Sequence, residues 1–88
     1  MKCVMFYGVA PDGLAKAQAL GPAHIARLEA FKTRGVLPMA GPYANPAEGA
    51  LGIFTTREAA EEFIRDDPFV TGGVVRNWTL KDWREVLA

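Results

Sequence analysis

His24 is the only histidine among 88 residues. An imidazole is the side chain whose proton affinity best suits acid–base work near neutral pH. Such a ring is usually oriented and charge-stabilised by a carboxylate. The stretch "DDPFV", Asp66 to Val70, offers two acids where a proline forces the chain to turn. Helical spacing separates them. Ala59, Ala60, Phe63 and Ile64 form an apolar stripe, and Asp67, four residues after Phe63, continues it. Asp66 falls on the flank and reads as helix-end punctuation. In the earlier helix, Ile25, Leu28 and Phe31 define the buried side. His24, four residues before Leu28, falls on that inward sector in the first turn.

The elements that must position these two groups follow from patterning. Lys2 to Tyr7 is a short apolar, β-friendly run ended by Gly8. "VAPDGLAKAQALGP" reads as a loop with a Pro-Asp-Gly turn and a helical turn around Leu14 to Ala19. "GPAHIARLEAFKTRG" reads as a helix, with Pro22 at its first position and Gly35 at its C-terminal cap. "VLPMAGPY" is a second strand, whose Pro38 demands an edge position or a bulge. "ANPAEG" is a turn and "ALGIFTT" a third strand. "TTREAAEEFIRDD" is a second helix with Thr56 as N-cap, stopped by Pro68. The stretch from Gly72 begins as a fourth strand. The order β-α-β-β-α-β is that of an α+β, ferredoxin-like fold with an antiparallel sheet, spanning residues 1–88 as one domain.

In that topology both helices run antiparallel on one sheet face, so the first starts where the second stops. His24 and Asp67 arrive at the same end. Tyr7, Gly41, Pro42, Tyr43, Pro68 and Phe69 converge there and are expected to line a pocket. Two readings stay open: an acid–base pair at a pocket mouth, or a buried hydrogen bond that only fixes the fold. Trp78 and Trp83 are expected either on the sheet face that no helix covers, marking a dimer interface, or in a tail folded back on its own domain.

Composition narrows the function classes. Ten basic and ten acidic residues give a formal net charge of zero, so no single-sign field draws in nucleic acid or an anionic membrane. The strands carry no aromatic and basic run of the kind RNA-binding sheets use. Half the residues are hydrophobic, which in so short a chain favours further burial by self-association. The lone cysteine, Cys3, reads as a small strand-borne hydrophobe, and no cluster of metal-ligand spacing exists. Neither a signal peptide nor a run of about 20 apolar residues is present, and the expected location is cytoplasmic.

"HIARLEAFKTRGVLPMAGP" followed by "DPFVTGGVV" resembles the YCII-related (YciI-like) domain family. The shared pattern is a His near a helix start followed by Leu, a Gly-Pro after the second strand, and an Asp-Pro-aromatic after the second helix. It covers nearly the whole chain. The resemblance implies a ferredoxin-like fold paired as a dimeric α/β barrel, and an active-site His-Asp dyad that falls on His24 and Asp67. It also implies cofactor-independent proton transfer on a small cyclic or phenolic compound by elimination, isomerisation or lyase-like chemistry, as in a relative that removes chloride from a chlorinated hydroxyhydroquinone. Many members have an arginine three residues before the His, where this chain has Gly21. The alternative is a non-catalytic module that binds a small molecule or dimerises.

Overall fold

The computed structural model describes residues 1–88. The strands are β1 (Lys2–Val9), β2 (Met39–Pro42), β3 (Ala50–Phe54) and β4 (Val75–Trp83). They form one antiparallel sheet in the order β2-β3-β1-β4. The helices are α1 (Gly13–Thr33), α2 (Arg57–Asp66) and the single turn α3 (Pro68–Thr71), with a short 3-10 turn at Pro46–Glu48. The expected ferredoxin-like order is therefore present, with α3 added between α2 and β4.

Register assigns the two faces. Cys3, Met5 and Tyr7 pair with Phe54, Gly52 and Ala50 on one side and with Asp82, Leu80 and Trp78 on the other. Directly opposed residues share a face. This face packs against the helices, and its buried cluster joins Cys3, Met5, Tyr7 and Phe54 to Phe31, Ala59, Ala60, Phe63 and Ile64. The opposite face carries Val4, Phe6, Leu51 and Ile53, with Met39 and Trp83 exposed at its margins.

Several local expectations hold for the reasons given. Thr56 caps α2, its Oγ1 accepting from the Ala59 N–H at 3.1 Å. Gly35 adopts φ 80°, and α1 ends in a Schellman motif, with Val36 N–H bonded to the Phe31 carbonyl and Gly35 N–H to that of Lys32. β2 is an edge strand, which suits Pro42 within it; Pro38 falls just before the strand and not inside it.

Four expectations are corrected. Pro22 is not the first residue of a helix but lies inside α1, which begins at Gly13. The run Leu14–Leu20 is rich in alanine and long-chain helix formers, whose propensity extends the helix through a proline that normally interrupts one. His24 therefore sits about three turns into α1, away from the positive end of the helix dipole. Ile25 is not on the buried side but 54% exposed, because α1 turns its His24 face, not its Ile25 face, to the core. Trp78 shares the face of Tyr7 and stands beside α2, so only Trp83 lies on the uncovered face.

Candidate functional site

Asp67 is the one charged residue in the core, with no exposed surface. Its backbone is extended, φ −66° and ψ 123°, so it ends α2 and caps α3 at once. The helical stripe points to the right residue, but the side chain is set inward by a sharp break between two helices. Pro68 supplies that break: it disfavours helical geometry in the residue before it and starts α3 at a position needing no N–H.

A buried carboxylate is tolerated only when its oxygens are satisfied, since the desolvation cost is several kcal/mol. Asp67 meets that condition fully. Oδ2 accepts from the Tyr7 hydroxyl at 2.7 Å. Oδ1 accepts from the Phe69 N–H at 3.2 Å and stands 2.7 Å from His24 Nδ1. The Phe69 N–H can only donate, and the Tyr7 hydroxyl donates to Oδ2, so the ionised carboxylate is the acceptor throughout and Nδ1 carries a proton. Nε2 is then the free lone pair. It has no protein partner, and it is not among buried unsatisfied atoms, so it opens to the cavity or solvent.

Packing holds the ring in place. His24 stacks on Phe69 with centroids 3.7 Å apart and planes 4° from parallel, and Phe63 meets it edge-on at 6.3 Å. Burial, the Asp67 charge and the hydrogen bond to it push the Tyr7 hydroxyl far above the ordinary phenol value. Tyr7 thus remains a proton-bearing donor across the working pH range. Arg27, one turn after His24, donates from Nε to the Phe63 carbonyl at 3.1 Å and from Nη2 to that of Glu62 at 2.8 Å. These carbonyls lie towards the C-terminal end of α2, where the helix dipole favours a cation, and the guanidinium bonded to them fixes α1 against α2.

Beside the imidazole a cavity of about 380 Å³ opens between α1 and the helix-facing side of the sheet. Of the residues expected to line a pocket, Tyr7, Gly41, Pro42 and Phe69 do so together with His24. Tyr43 and Pro68 do not: Tyr43 lies against Gly49, and Pro68 serves the backbone turn. Sequence reasoning missed two things. Tyr7 is a partner of Asp67 as well as a wall, and nothing in a strand pattern announces a hydroxyl's partner. Arg27 was readable in principle, since i,i+3 spacing puts it on the His24 side of the helix.

The YCII-related domain profile matches residues 1–84. Protein YciI of Escherichia coli O6:H1 is 34% identical, covering 85% of this chain and 88% of its own length, and YciI of Shigella flexneri gives the same values. An uncharacterized protein of Haemophilus influenzae is 29% identical over 98% of this chain and 99% of its own. Among solved structures, the 5-chloro-2-hydroxyhydroquinone dehydrochlorinase of Burkholderia phenoliruptrix superposes with a TM-score of 0.79 at 20% identity. The match covers 96% of this chain and 94% of that one, whose structure is a complex with 2,5-dihydroxybenzoquinone.

Proposed function

The chain belongs to the YCII-related domain family, and from that footing we propose that it is a small acid–base enzyme working without a cofactor. His24 Nε2 takes a proton from a small cyclic or phenolic compound held in the cavity. In an isomerisation it returns that proton to another ring atom. In an elimination the freed electron pair forms the new double bond, while the leaving anion departs to solvent with the electrons of its broken bond. Asp67 holds Nδ1–H and stabilises the imidazolium that forms, as a carboxylate does in other His-acid pairs. Tyr7 and the Phe69 amide hold the carboxylate. Elimination, isomerisation and lyase-like steps all need this one transfer. The observation that carries the reading is an imidazole bonded to a fully buried carboxylate on one nitrogen and unpartnered on the other, beside a cavity. The substrate class follows the dehydrochlorinase that shares the fold, and its compound is the first to try.

The test is chloride release from 5-chloro-2-hydroxyhydroquinone, together with solvent-deuterium incorporation into a panel of phenols and lactones. A general acid–base contributes roughly 10²–10⁴ in rate, so His24→Gln should lose at least about a hundredfold. A His24→Gln protein that turns over any of these compounds at the wild-type rate sinks the proposal. Tight binding with no turnover in either protein moves the chain to the alternative, a small-molecule-binding module.

The chain also pairs with a second copy through its uncovered sheet face. Half-buried Phe6, Leu51 and Ile53 surround the buried Val4 and give that face an apolar centre, and Trp83 stands at its margin. Sedimentation should give twice the chain mass for the wild type and a monomer for Ile53→Glu. A monomeric wild type at micromolar concentration removes this part of the proposal. No helix is long and apolar enough to cross a membrane.

A further inference from the structure

The cavity beside His24 is unusual in what it lacks. Among its 20 lining residues there is no Lys, Arg, Asp, Glu, Ser, Thr, Asn or Gln. Two side chains bring polar atoms, and the Tyr7 hydroxyl is committed to Asp67. One side-chain group is left to meet a ligand, the Nε2 atom of His24. Arg27, the nearest cation to the pair, is spent on α2 carbonyls and does not line the space. Phe69 covers one face of the imidazole, so a ligand reaches Nε2 in the plane of the ring.

Size is equally informative. A dry cavity of about 150 Å³ admits benzene. At about 380 Å³ this one has room for a substituted single ring or a fused pair. Charge then decides among such rings. A carboxylate or phosphate entering would give up its water for an apolar wall with no countercharge. The buried Asp67 carboxylate behind the imidazole would repel it further.

Taking the acid–base reading of this site as its basis, the geometry points to a narrower substrate class. The ligand is an electrically neutral, apolar one- or two-ring compound with a single acidic O–H or C–H at the edge that meets Nε2, and carboxylate and phosphate analogues of the same shape are rejected. Gly21 marks where that selectivity is set. It lines the cavity one turn before His24, and a Cβ placed there meets no atom within 4 Å. A cation carried from this position would supply the missing countercharge.

The experiment is ligand titration of the full chain, followed by NMR of its one imidazole and its backbone amides. Two matched pairs serve as probes: p-cresol with 4-hydroxybenzoate, and 2-naphthol with 6-hydroxy-2-naphthoate. Each pair keeps the ring system, and only one member carries a carboxylate. The neutral member of each pair should bind roughly tenfold or more tightly, since an unpaired charge is costly to bury. Gly21→Arg should erase or reverse that preference, because a guanidinium pairs with a carboxylate in a bidentate fork. Equal or tighter binding of the carboxylates to the wild type, with the His24 signals moving, overturns the charge selectivity alone and leaves the acid–base reading standing. An unchanged ratio in Gly21→Arg also overturns it. If neither member of either pair binds and His24 does not respond, the small-ligand reading of the cavity falls, and this inference with it.

Discussion

The sharpest test of the site separates two substitutions of Asp67 that remove the same charge. In Asp67→Ala, three donors lose their acceptor at once. Tyr7 lines the cavity and its hydroxyl can turn towards it, but the Phe69 N–H and His24 Nδ1–H have no other partner in the structure. An orphaned buried donor costs about 1–3 kcal/mol, so two cost about 2–6 kcal/mol, offset in part by relief of the desolvated charge. Chains of this length are held by roughly 4–13 kcal/mol in all. Asp67→Ala should therefore lose a large share of its stability. Asp67→Asn should not. The Phe69 N–H can only donate, which forces the amide oxygen into the Oδ1 position and the amide nitrogen towards Tyr7. The hydroxyl reverses to accept from it, and His24 keeps its proton on Nδ1. The expected loss is under about 2 kcal/mol, a single hydrogen bond's worth. Urea denaturation followed by the fluorescence of Trp78 and Trp83 measures the stabilities, and nitrogen-15 shifts of the single imidazole report the tautomer. If Asp67→Asn is as unstable as Asp67→Ala, or its neutral imidazole carries the proton on Nε2, the assigned network is wrong.

Other expectations follow from the same contacts. The Tyr7 hydroxyl is raised above its unfolded value, so the unfolded chain releases this proton first and stability falls as pH rises past about 10, by about 1.4 kcal/mol per pH unit. Denaturation midpoints between pH 8 and 11 should show a decline in the wild type that is shallower in Tyr7→Phe, and equal slopes would contradict it. Cys3 is completely buried, and burial raises its thiol, so it should resist a maleimide reagent in the native state and react once urea unfolds the chain. Gly49 sits at φ 130°, and a Cβ there would fall on the Tyr7 carbonyl oxygen, so Gly49→Ala should cost more than about 2 kcal/mol in the same denaturation assay. Gly21→Ala, helical and facing open space, should be neutral or stabilise by up to about 1 kcal/mol.

How far the sequence reaches can be judged residue by residue. The strand order and α2 were legible because period-two and period-3.6 patterns with clear caps are local signals, and Thr56 and Gly35 act just where their chemistry says. The start of α1 is not legible in the sequence because two local rules conflict. Proline favours a first helical turn, while the alanine-rich run before it favours continuation, and no local rule ranks them. The face of Trp78 is not legible in the sequence because register depends on partners far along the chain. Trp78 is fixed opposite Tyr7 by pairing, and nothing inside "VRNWTLKDW" says which of its two faces the helices will cover.

Asp67 shows why a candidate site can be read when parts of the fold cannot. An acid on an apolar stripe breaks the pattern that folding alone would select, so it stands out in the sequence wherever the helix ends. Its partners are harder to see. Tyr7 is 60 residues away and His24 is 43, and each sits where an apolar residue would pack as well. Fully satisfying a buried carboxylate at such separations needs α1, β1 and the α2–α3 break to meet within hydrogen-bonding tolerance. A fold that needed only stability would do as well or better with a hydrophobic residue of similar volume at position 67. The triad keeps a charge in the core and leaves one imidazole nitrogen free at a cavity wall. Stability does not require that nitrogen, and acid–base chemistry on a bound ligand does.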